Sequence, residues 1–327
     1  YGLYGMEHVD WSQRAWEFGL QPPGFYDVAG SDQFFRLHSD ESAVSDRSAH
    51  LQSARNTFAG RTPKKITDSK AIVPSISYIV PFRDFERTNS IRTVINNIRA
   101  QRFPHIEIIM VEQDNSTKIN VASHEPVNYI LAGDNQPLFN KSKAFNKGVA
   151  AASTDRIIMH DADMVSPGNY TSYVFNTLNN HDACHLGSTV IYTNHDTMVG
   201  INSSGLIDNK STCDRVVGYY EGGSIACKIK TFWAVGAFNE DYHGYGCEDC
   251  DFYARLSGGS DWIEDRIFDF LHLWHSRVAG WDVHHRTNKA IEEQLKTKTI
   301  NERIDIQHNK LMAAGYHEQI ARCCNDI

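Results

Sequence analysis

The sequence contains no long apolar run, no basic run and no cysteine framework. No apolar stretch approaches the roughly 18–20 residues that cross a bilayer, so no transmembrane segment is predicted in this chain. The N-terminus lacks the basic and apolar regions of a signal peptide, but it begins with Tyr1 rather than Met, so other segments could precede it. We therefore expect a cytoplasmic protein, membrane-associated only through segments outside this chain. The Golgi lumen is expected instead if the chain is a truncated secretory-pathway enzyme.

Charge and cysteine content exclude two further classes. The net charge is −8, from 32 basic and 40 acidic residues, and no Lys/Arg cluster is present, so nucleic acid is not expected as a partner. The seven cysteines are odd in number and lack framework spacing, which argues against a disulfide-stabilised secreted domain. Cys247 and Cys250 form a lone Cys-x-x-Cys pair, but a tetrahedral zinc site would need two further ligands.

The chain divides into an unpatterned N-terminal part and a patterned remainder. Residues 1–70 are aromatic and polar without a strand pattern, and we expect an extension or linker of unknown role there. Beyond them, apolar periodicity predicts alternating strands and helices. The strands are expected at 75–80, 106–111, 127–131 and 156–160, and the helices at 87–101 and 142–152. Such alternation with short connections predicts an α/β fold with a mainly parallel central sheet flanked by helices.

The second half of the sequence is less regular. We expect a strand within 183–192, a polar loop over 193–218, a helix over 248–257, a strand over 267–274 and a charged helical stretch over 286–313. The loop is a candidate lid over a bound ligand. The expected boundaries are 1–70 for the extension, 71–285 for a catalytic domain and 286–327 for a C-terminal helical segment.

Two acidic residues follow the strand at 156–160. Asp161 and Asp163 lie at the strand's carboxyl end, the edge where α/β sheets bind ligands, and Asp114 falls at the same edge after the strand at 106–111. Carboxylates facing a diphosphate need a divalent cation between them, and oxygen ligands suit Mg²⁺ or Mn²⁺. Because D-x-D also occurs in solvated turns, the spacing alone leaves both interpretations open.

Two further motifs carry candidate chemistry. Glycines Gly244 and Gly246 precede the acids Glu248 and Asp249, and a carboxylate is the natural general base for a sugar hydroxyl. The same pattern also fits an acidic helix N-terminus. Downstream, two histidines three residues apart at 272 and 275 are able to converge on a metal, but a random pair is more often structural.

The order of these motifs is more specific than any one of them. They are Val80-Pro81-Phe82-Arg83, Ala132-Gly133-Asp134, Phe139-Asn140-Lys141-Ser142-Lys143, Asp161-Ala162-Asp163-Met164, Tyr220-Glu221-Gly222-Gly223-Ser224, Gly244-Tyr245-Gly246-Cys247-Glu248-Asp249 and His275-Ser276-Arg277. In this order they resemble the catalytic domain of the beta-4-galactosyltransferases and the related transferase domains of chondroitin-type polymerases. The resemblance runs from about residue 76 to residue 277.

The resemblance implies a GT-A fold with a nucleotide-binding half and an acceptor-binding half. It implies a UDP-sugar donor, a glycan acceptor, Mn²⁺ or Mg²⁺, and inversion at the anomeric carbon. Asp163 and His275 would be metal ligands, Asp249 the general base, and Glu248 an acceptor contact. The residues implied on the nucleotide-sugar side are Pro81, Phe82, Arg83, Asp114, Lys141, Asp161, Gly223 and Tyr245.

Several positions depart from the family pattern. Tyr245 replaces a tryptophan, Cys247 replaces a glycine, and Lys141 replaces an arginine, which loses the bidentate fork. His272 stands where the family has a thioether, and we expect it to be a third metal ligand with a broader metal preference. Tyr220 occupies the position that tunes the sugar, and tyrosine there favours galactose over N-acetylgalactosamine.

The expected reaction is therefore direct displacement of UDP by an acceptor hydroxyl, moving a hexose or N-acetylhexosamine. Two alternatives stay open. One is a retaining UDP-sugar transferase on the same fold, and the other is an inactive carbohydrate-binding derivative. A nucleotidyltransferase is disfavoured because the expected Gly-rich phosphate loop is absent from the sequence.

Overall fold

The computed structural model describes residues 73–83, 88–118, 127–133, 137–195, 213–218, 220–276 and 280–324. Residues Ser75–Ile327 group into one compact unit, and this unit holds the elements below. The extension expected over residues 1–70, Asp134 and Arg277 lie outside the described residues. Among the residues described, no helix combines the length and the apolar character needed to cross a membrane.

One sheet of nine strands is built from the described residues. The strands are β1 (Ser75–Phe82), β2 (His105–Glu112), β3 (Asn128–Leu131), β4 (Arg156–His160), β5 (Met164–Val165), β6 (Ala183–Thr193), β7 (Cys213–Gly218), β8 (Ser224–Lys228) and β9 (Trp262–His272). Their order is β3-β2-β1-β4-β8-β6-β9-β5, with β7 paired to β6.

The sheet is mixed rather than mainly parallel throughout. The run β3-β2-β1-β4 and the pair β6–β9 are parallel, as the alternating pattern predicts. The β8 strand is antiparallel to both β4 and β6, and β7–β6 and β5–β9 are also antiparallel. The expected parallel arrangement is therefore complete over β3-β2-β1-β4, whereas beyond β4 only the pair β6–β9 is parallel.

Helices cover both faces of this sheet. They are α1 (Thr88–Arg99), α2 (Lys141–Ala151), α3 (Tyr170–Asn180), α4 (Ile229–Ala234), α5 (Glu248–Gly259), α6 (Trp281–Lys296), α7 (Ile300–Ala313) and α8 (His317–Cys324). Alternate β1 side chains enter two different cores, Tyr78 on one side and Ile79 on the other, because strand side chains alternate between faces. The apolar stripe of α1 covers the first core, and α2 covers the second.

Three element bounds in the second half differ from expectation. The segment 193–218 is not all loop, because residues 213–218 form β7. The last strand begins at Trp262 rather than at 267. The stretch 286–313 is divided between two helices, because Thr299 caps α7 through a reciprocal capping box with Glu302.

The C-terminal helices pack against the helix that carries the predicted catalytic acids. Asp251 of α5 is fully buried and accepts hydrogen bonds from Arg255, at 3.0 Å, and from Arg303 of α7, at 2.6 Å. Asn288 of α6 donates to the carbonyl oxygens of His243 and Gly246, at 3.0 and 2.9 Å. The loop and the helix that present Glu248 and Asp249 are thus held from the C-terminal side.

Candidate active site

Asp163, His272 and His275 form what we call the three-ligand cluster. One potential ligand atom from each lies within 4.8 Å of the others. His275 Nε2 is 3.3 Å from Asp163 Oδ2, and His272 Nε2 is 3.7 Å from Asp163 Oδ1. Ligand atoms that are each about 2.1 Å from one ion lie about 3–4 Å apart, so these two distances fit a shared cation. The structure therefore brings together all three residues expected to bind metal.

Backbone contacts set which nitrogen of each histidine faces the cluster. His272 Nδ1 lies 3.0 Å from the carbonyl oxygen of Leu273, and His275 Nδ1 lies 2.9 Å from that of Ser276. A carbonyl oxygen only accepts, so each Nδ1 carries the hydrogen and each neutral ring turns an Nε2 lone pair towards Asp163. In this orientation a neutral ring offers its Nε2 lone pair to a proton or a cation beside Asp163. Metal-binding histidines show this same arrangement.

The three ligands are aligned by the pairing of β5 with β9. Asp163 is mostly buried in the turn between β4 and β5, and its carbonyl oxygen accepts a hydrogen bond from Leu273 N at 2.7 Å. Met164 is the register partner of His272. The D-x-D turn and the strand that ends at the histidines are therefore fixed to each other by backbone hydrogen bonds.

Lys141 joins three carboxylates in what we call the lysine cluster, formed by Lys141, Asp161, Glu248 and Asp249. Its Nζ lies 2.8 Å from Glu248 Oε1, 2.8 Å from Asp249 Oδ2 and 3.3 Å from Asp161 Oδ1. Lys141 begins α2, whose N-cap Asn140 accepts from Lys143 N, while the two acids begin α5. Two helix N-termini thus meet at this ammonium group.

Burial and mutual charge shift the pKa values in this cluster. Burial raises the pKa of Asp249 to about 8; Lys141 acts against this rise and Glu248 adds to it. Burial likewise raises the pKa of Asp161 to about 6, again opposed by Lys141. Burial disfavours the Lys141 ammonium, but the three carboxylates outweigh it and hold the pKa of Lys141 well above its usual value. Asp249 is therefore a stronger base than an ordinary carboxylate.

Gly222 and Gly223 contact two carboxylate residues of the lysine cluster. A Cβ at Gly222 would lie 2.3 Å from Asp249 Oδ2, so its backbone directly contacts the predicted base. Gly223 accepts a hydrogen bond from Asp161 N at 2.9 Å, and its own φ is 68°. Both positions need glycine, Gly222 for space and for its φ of 90° and Gly223 for its left-handed backbone.

The predicted nucleotide residues lie at the carboxyl ends of β1 and β2. Phe82 is the register partner of Glu112, which places Arg83 and Asp114 beyond adjacent strand ends. Phe82 itself is only 1% exposed and packs in the core, so its backbone rather than its ring faces this edge. Pro81 is also buried. Asp114 lies in an exposed turn, where it accepts from Asn115 N at 2.6 Å.

Tyr245 lies apart from the lysine cluster's hydrogen bonds. Its ring is 58% exposed and makes an edge contact with Trp281 of α6 at 5.9 Å between centroids. Cys247, the next departure from the family pattern, is the N-cap of α5 with a φ of 71°. Cysteine there occupies a backbone conformation that favours glycine.

Tyr220, the predicted sugar-tuning residue, packs beneath the glycine pair. Its ring contacts His185 edge-on at 5.2 Å, and one of its ring carbons lies 3.6 Å from where a Cβ would stand on Gly223. A Cβ on Gly187 would lie 2.0 Å from the Tyr220 hydroxyl. Gly187 therefore makes room for this ring, a contact that the sequence did not reveal.

Two family models match the chain. The model described as Glycosyl transferase family 2 covers residues 77–226, and that described as N-terminal domain of galactosyltransferase covers residues 209–260. Among characterised proteins, Beta-1,4-galactosyltransferase 4 of Rattus norvegicus is 24% identical over 199 residues. Across residues 77–260 the chain therefore carries the sequence of a glycosyltransferase domain.

The matching regions contain most of the site. The family 2 match spans the D-x-D turn, and the galactosyltransferase match spans the two acids of α5. The rat relative aligns with 57% of this chain, and the alignment spans 52% of the relative, so the glycosyltransferase chain covers about half of that protein's length.

Solved structures give weaker similarity. The S. aureus TarS fragment 1–349 in complex with UDP-GlcNAc is 12% identical, with a TM-score of 0.44 over 62% of this chain and 60% of that chain. Drosophila beta1,4galactosyltransferase 7 in complex with xylobiose is 20% identical, with a TM-score of 0.34 over 59% of this chain and 65% of that chain. The assignment of the glycosyltransferase domain rests on the family models and the sequence relative.

Proposed function

We propose that this domain is a metal-dependent, inverting glycosyltransferase. It moves a hexose or N-acetylhexosamine, with galactose favoured, from a UDP-sugar to a hydroxyl of a glycan acceptor. The observation that carries the proposal is the D-x-D turn, which places Asp163 in the three-ligand cluster and Asp161 in the lysine cluster. The galactosyltransferase similarity of residues 209–260 supports the choice of sugar class.

The three-ligand cluster would hold Mn²⁺. Two imidazole nitrogens and one carboxylate fit Mn²⁺ better than Mg²⁺, which prefers oxygen ligands. When bound, the ion would supply Lewis-acid stabilisation of the departing diphosphate. The backbone carbonyls behind His272 and His275 keep both Nε2 atoms directed at that position.

The lysine cluster would supply the base and an additional positive charge. Asp249 takes the proton from the acceptor hydroxyl, and Glu248 accepts a hydrogen bond from the acceptor. Lys141 bonds to Asp249 in the structure, and it would exchange this partner for the diphosphate of the sugar donor. That exchange exposes the Asp249 carboxylate when the sugar donor is in place.

The remaining residues would bind the nucleotide-sugar. Pro81, Phe82, Arg83 and Asp114 would line the nucleotide pocket at the ends of β1 and β2, with Phe82 contributing its backbone. Asp161 would orient the ribose or a metal-bound water. Gly223, which has no side chain, would let the sugar donor approach the backbone closely. The exposed ring of Tyr245 would offer an apolar face to a sugar.

We place the catalytic domain at residues 71–285, with 286–327 as a C-terminal helical segment. The contact between Arg303 and Asp251 supports a role for this segment in holding α5 in place. Residues 1–70 would be an extension outside the catalytic domain.

A screen of UDP-sugar hydrolysis tests the proposal. We expect UDP release to need Mn²⁺, to stop with a chelator, and to be fastest with UDP-galactose. With an acceptor present, an α-linked sugar donor should give a β-linked product. Chelator-resistant hydrolysis would contradict the metal role, and retention of configuration would contradict the role of Asp249 as base.

A further inference from the structure

His160 is the last residue of β4 and directly precedes the D-x-D turn. It is fully buried, although it carries two polar ring nitrogens. Its Nε2 lies 3.0 Å from the carbonyl oxygen of Met164, and its Nδ1 lies 2.9 Å from Ser224 Oγ. Tyr78 packs edge-on against the ring, with centroids 5.5 Å apart. The ring thus spans the four-residue turn that presents Asp163.

The direction of each hydrogen bond follows from its partners. The Met164 carbonyl oxygen only accepts, so His160 Nε2 carries the hydrogen and donates it. In a neutral ring Nδ1 then accepts, which requires the Ser224 hydroxyl to donate. Ser224 Oγ in turn lies 2.8 Å from the Tyr170 hydroxyl, which donates to it. Tyr170, Ser224, His160 and Met164 therefore form one directed, buried chain of hydrogen bonds.

This chain ends on the residue that aligns the metal ligands. Met164 pairs with His272 across β5 and β9, and Leu273 N donates to the carbonyl oxygen of Asp163 at 2.7 Å. Fixing the Met164 carbonyl therefore fixes Asp163 relative to His272. Since Ser224 follows Gly223 directly, the same chain also ties the turn to the glycine pair beside Asp249.

We propose that His160 is a positioning residue for the metal site, holding the D-x-D turn through Met164 so that Asp163 meets His272 and His275. The proposal rests on the proposed function, because it assumes that these three residues bind a cation. Outer hydrogen-bond partners of metal ligands typically change metal affinity by about 10–100-fold. His160 acts one step further back, through the backbone of the turn.

Two substitutions separate the two ring nitrogens. Glutamine at 160 places an amide N–H near the position of Nε2 and keeps the bond to Met164. Asparagine reaches only the position of Nδ1 and leaves the Met164 carbonyl without its donor. The matched control is Tyr78→Phe, which removes a buried 2.8 Å hydrogen bond to Thr171 but keeps the ring that packs on His160.

The measurement is Mn²⁺ binding to the full chain. Binding is monitored through the loss of the electron paramagnetic resonance signal of free Mn²⁺. We expect His160→Asn to weaken Mn²⁺ binding by about 10–100-fold, His160→Gln by about 3-fold or less, and Tyr78→Phe not at all. Near-UV circular dichroism establishes that each variant is folded. Equal affinity for wild type, His160→Asn and His160→Gln would overturn the proposal, as would equal weakening by Asn and Gln.

A second variant covers the case in which both His160 variants fail to fold. Ser224→Ala removes the hydroxyl that fixes the ring's tautomer, and we expect it to weaken Mn²⁺ binding by about 3–10-fold. Unchanged Mn²⁺ affinity in folded Ser224→Ala protein would show that the chain of hydrogen bonds does not hold the metal site in place. Wild-type protein that binds no Mn²⁺ would contradict the metal site itself, and the positioning role with it. An intact wild-type site with unaffected variants would contradict only the role of His160.

Discussion

The three-ligand cluster and the lysine cluster meet at one turn but balance charge in opposite ways. In the first, Asp163 faces two imidazole nitrogens whose lone pairs are turned inward by backbone carbonyls. In the second, Lys141 already sits between three carboxylates. In the proposed function the first cluster receives a cation, whereas the second already contains one, the Lys141 ammonium group, which would transfer to the sugar donor.

This difference predicts separable defects. Changes in the lysine cluster should reduce transfer while leaving metal affinity intact. Changes in the three-ligand cluster should alter metal affinity first.

Asp249→Asn should have the largest effect. Loss of a general base typically costs about 10²–10⁴-fold in rate, and the amide cannot take the acceptor proton. UDP and Mn²⁺ binding should stay near wild-type values, because Asp163 and the histidines are unchanged. The assay is sugar transfer alongside calorimetric titration with UDP. The control is Asp265→Asn, which changes an exposed carboxylate of β9. Near-normal sugar transfer by Asp249→Asn would show that Asp249 is not the general base.

Gly222→Ala should reduce transfer by about 10²-fold. The new methyl group would overlap Asp249 Oδ2 and also strain a backbone φ of 90°, and displacing a catalytic group by about 1 Å costs about this much. The control is Gly168→Ala, where no atom lies within 4 Å of the added Cβ. If both alanine variants transferred sugar equally well, close contact of Gly222 with the base would be unimportant.

His272→Ala should raise the Mn²⁺ concentration for half-maximal hydrolysis by at least about 10-fold, because one of three ligands is lost. His272→Met, which restores the thioether of the family pattern, should recover part of the Mn²⁺ affinity. His181→Ala removes a half-buried histidine paired with Asp261 and serves as the control. No change in metal dependence for His272→Ala would leave Asp163 and His275 as the only protein ligands among the three.

The pH dependence tests the role of Asp249 without a substitution at that residue. The pKa of Asp249 is raised to about 8, mainly by burial, and transfer needs the carboxylate, so kcat/KM for sugar-donor hydrolysis should rise with pH and level off above about 8. Lys141 lowers this pKa, so Lys141→Met should move the rise about 1 unit or more to higher pH. A profile that is flat between pH 6 and pH 9 in the wild type would contradict this assignment.

The same shift affects stability with a defined sign. The folded state holds the Asp249 proton more tightly than the unfolded state, whose pKa is about 3.9. The contribution of Asp249 to the free energy of unfolding should therefore decrease as the pH rises from about 4 to about 8. Denaturant unfolding of wild type and Asp249→Asn across this range measures the contribution.

The sequence predicted the first half of the fold because its elements depend on local pattern. The apolar spacing of α1 places four isoleucine and valine side chains in the core, as expected: Ile91, Val94, Ile95 and Ile98. The apolar runs that form β1, β2 and β4 predicted the bounds of these strands to within two residues. The location of Asp161 and Asp163 beyond a strand end then followed from parallel topology alone.

The rest depends on contacts that leave no local pattern. The strand β8 pairs antiparallel with β4, and Gly222, just before β8, contacts Asp249. Lys141 donates a hydrogen bond to Asp249, although the two residues are 108 positions apart in the sequence. Four of the six residues of β7 are exposed, so this strand lacks the apolar run that predicts a buried strand. His160 had one signal, a histidine at the end of an apolar strand, but its hydrogen bonds to residues 164 and 224 could only come from the structure.

If the three-ligand cluster is a metal site that serves nucleotide binding, UDP affinity should depend on both Mn²⁺ and Asp163. Calorimetric titration of UDP into the protein, with Mn²⁺ and again with a chelator, tests it most directly, with Asp163→Asn as the paired variant. We expect UDP binding that needs Mn²⁺ and is lost in Asp163→Asn. Equally tight UDP binding in the chelator, or undiminished Mn²⁺-dependent binding by Asp163→Asn, would contradict it.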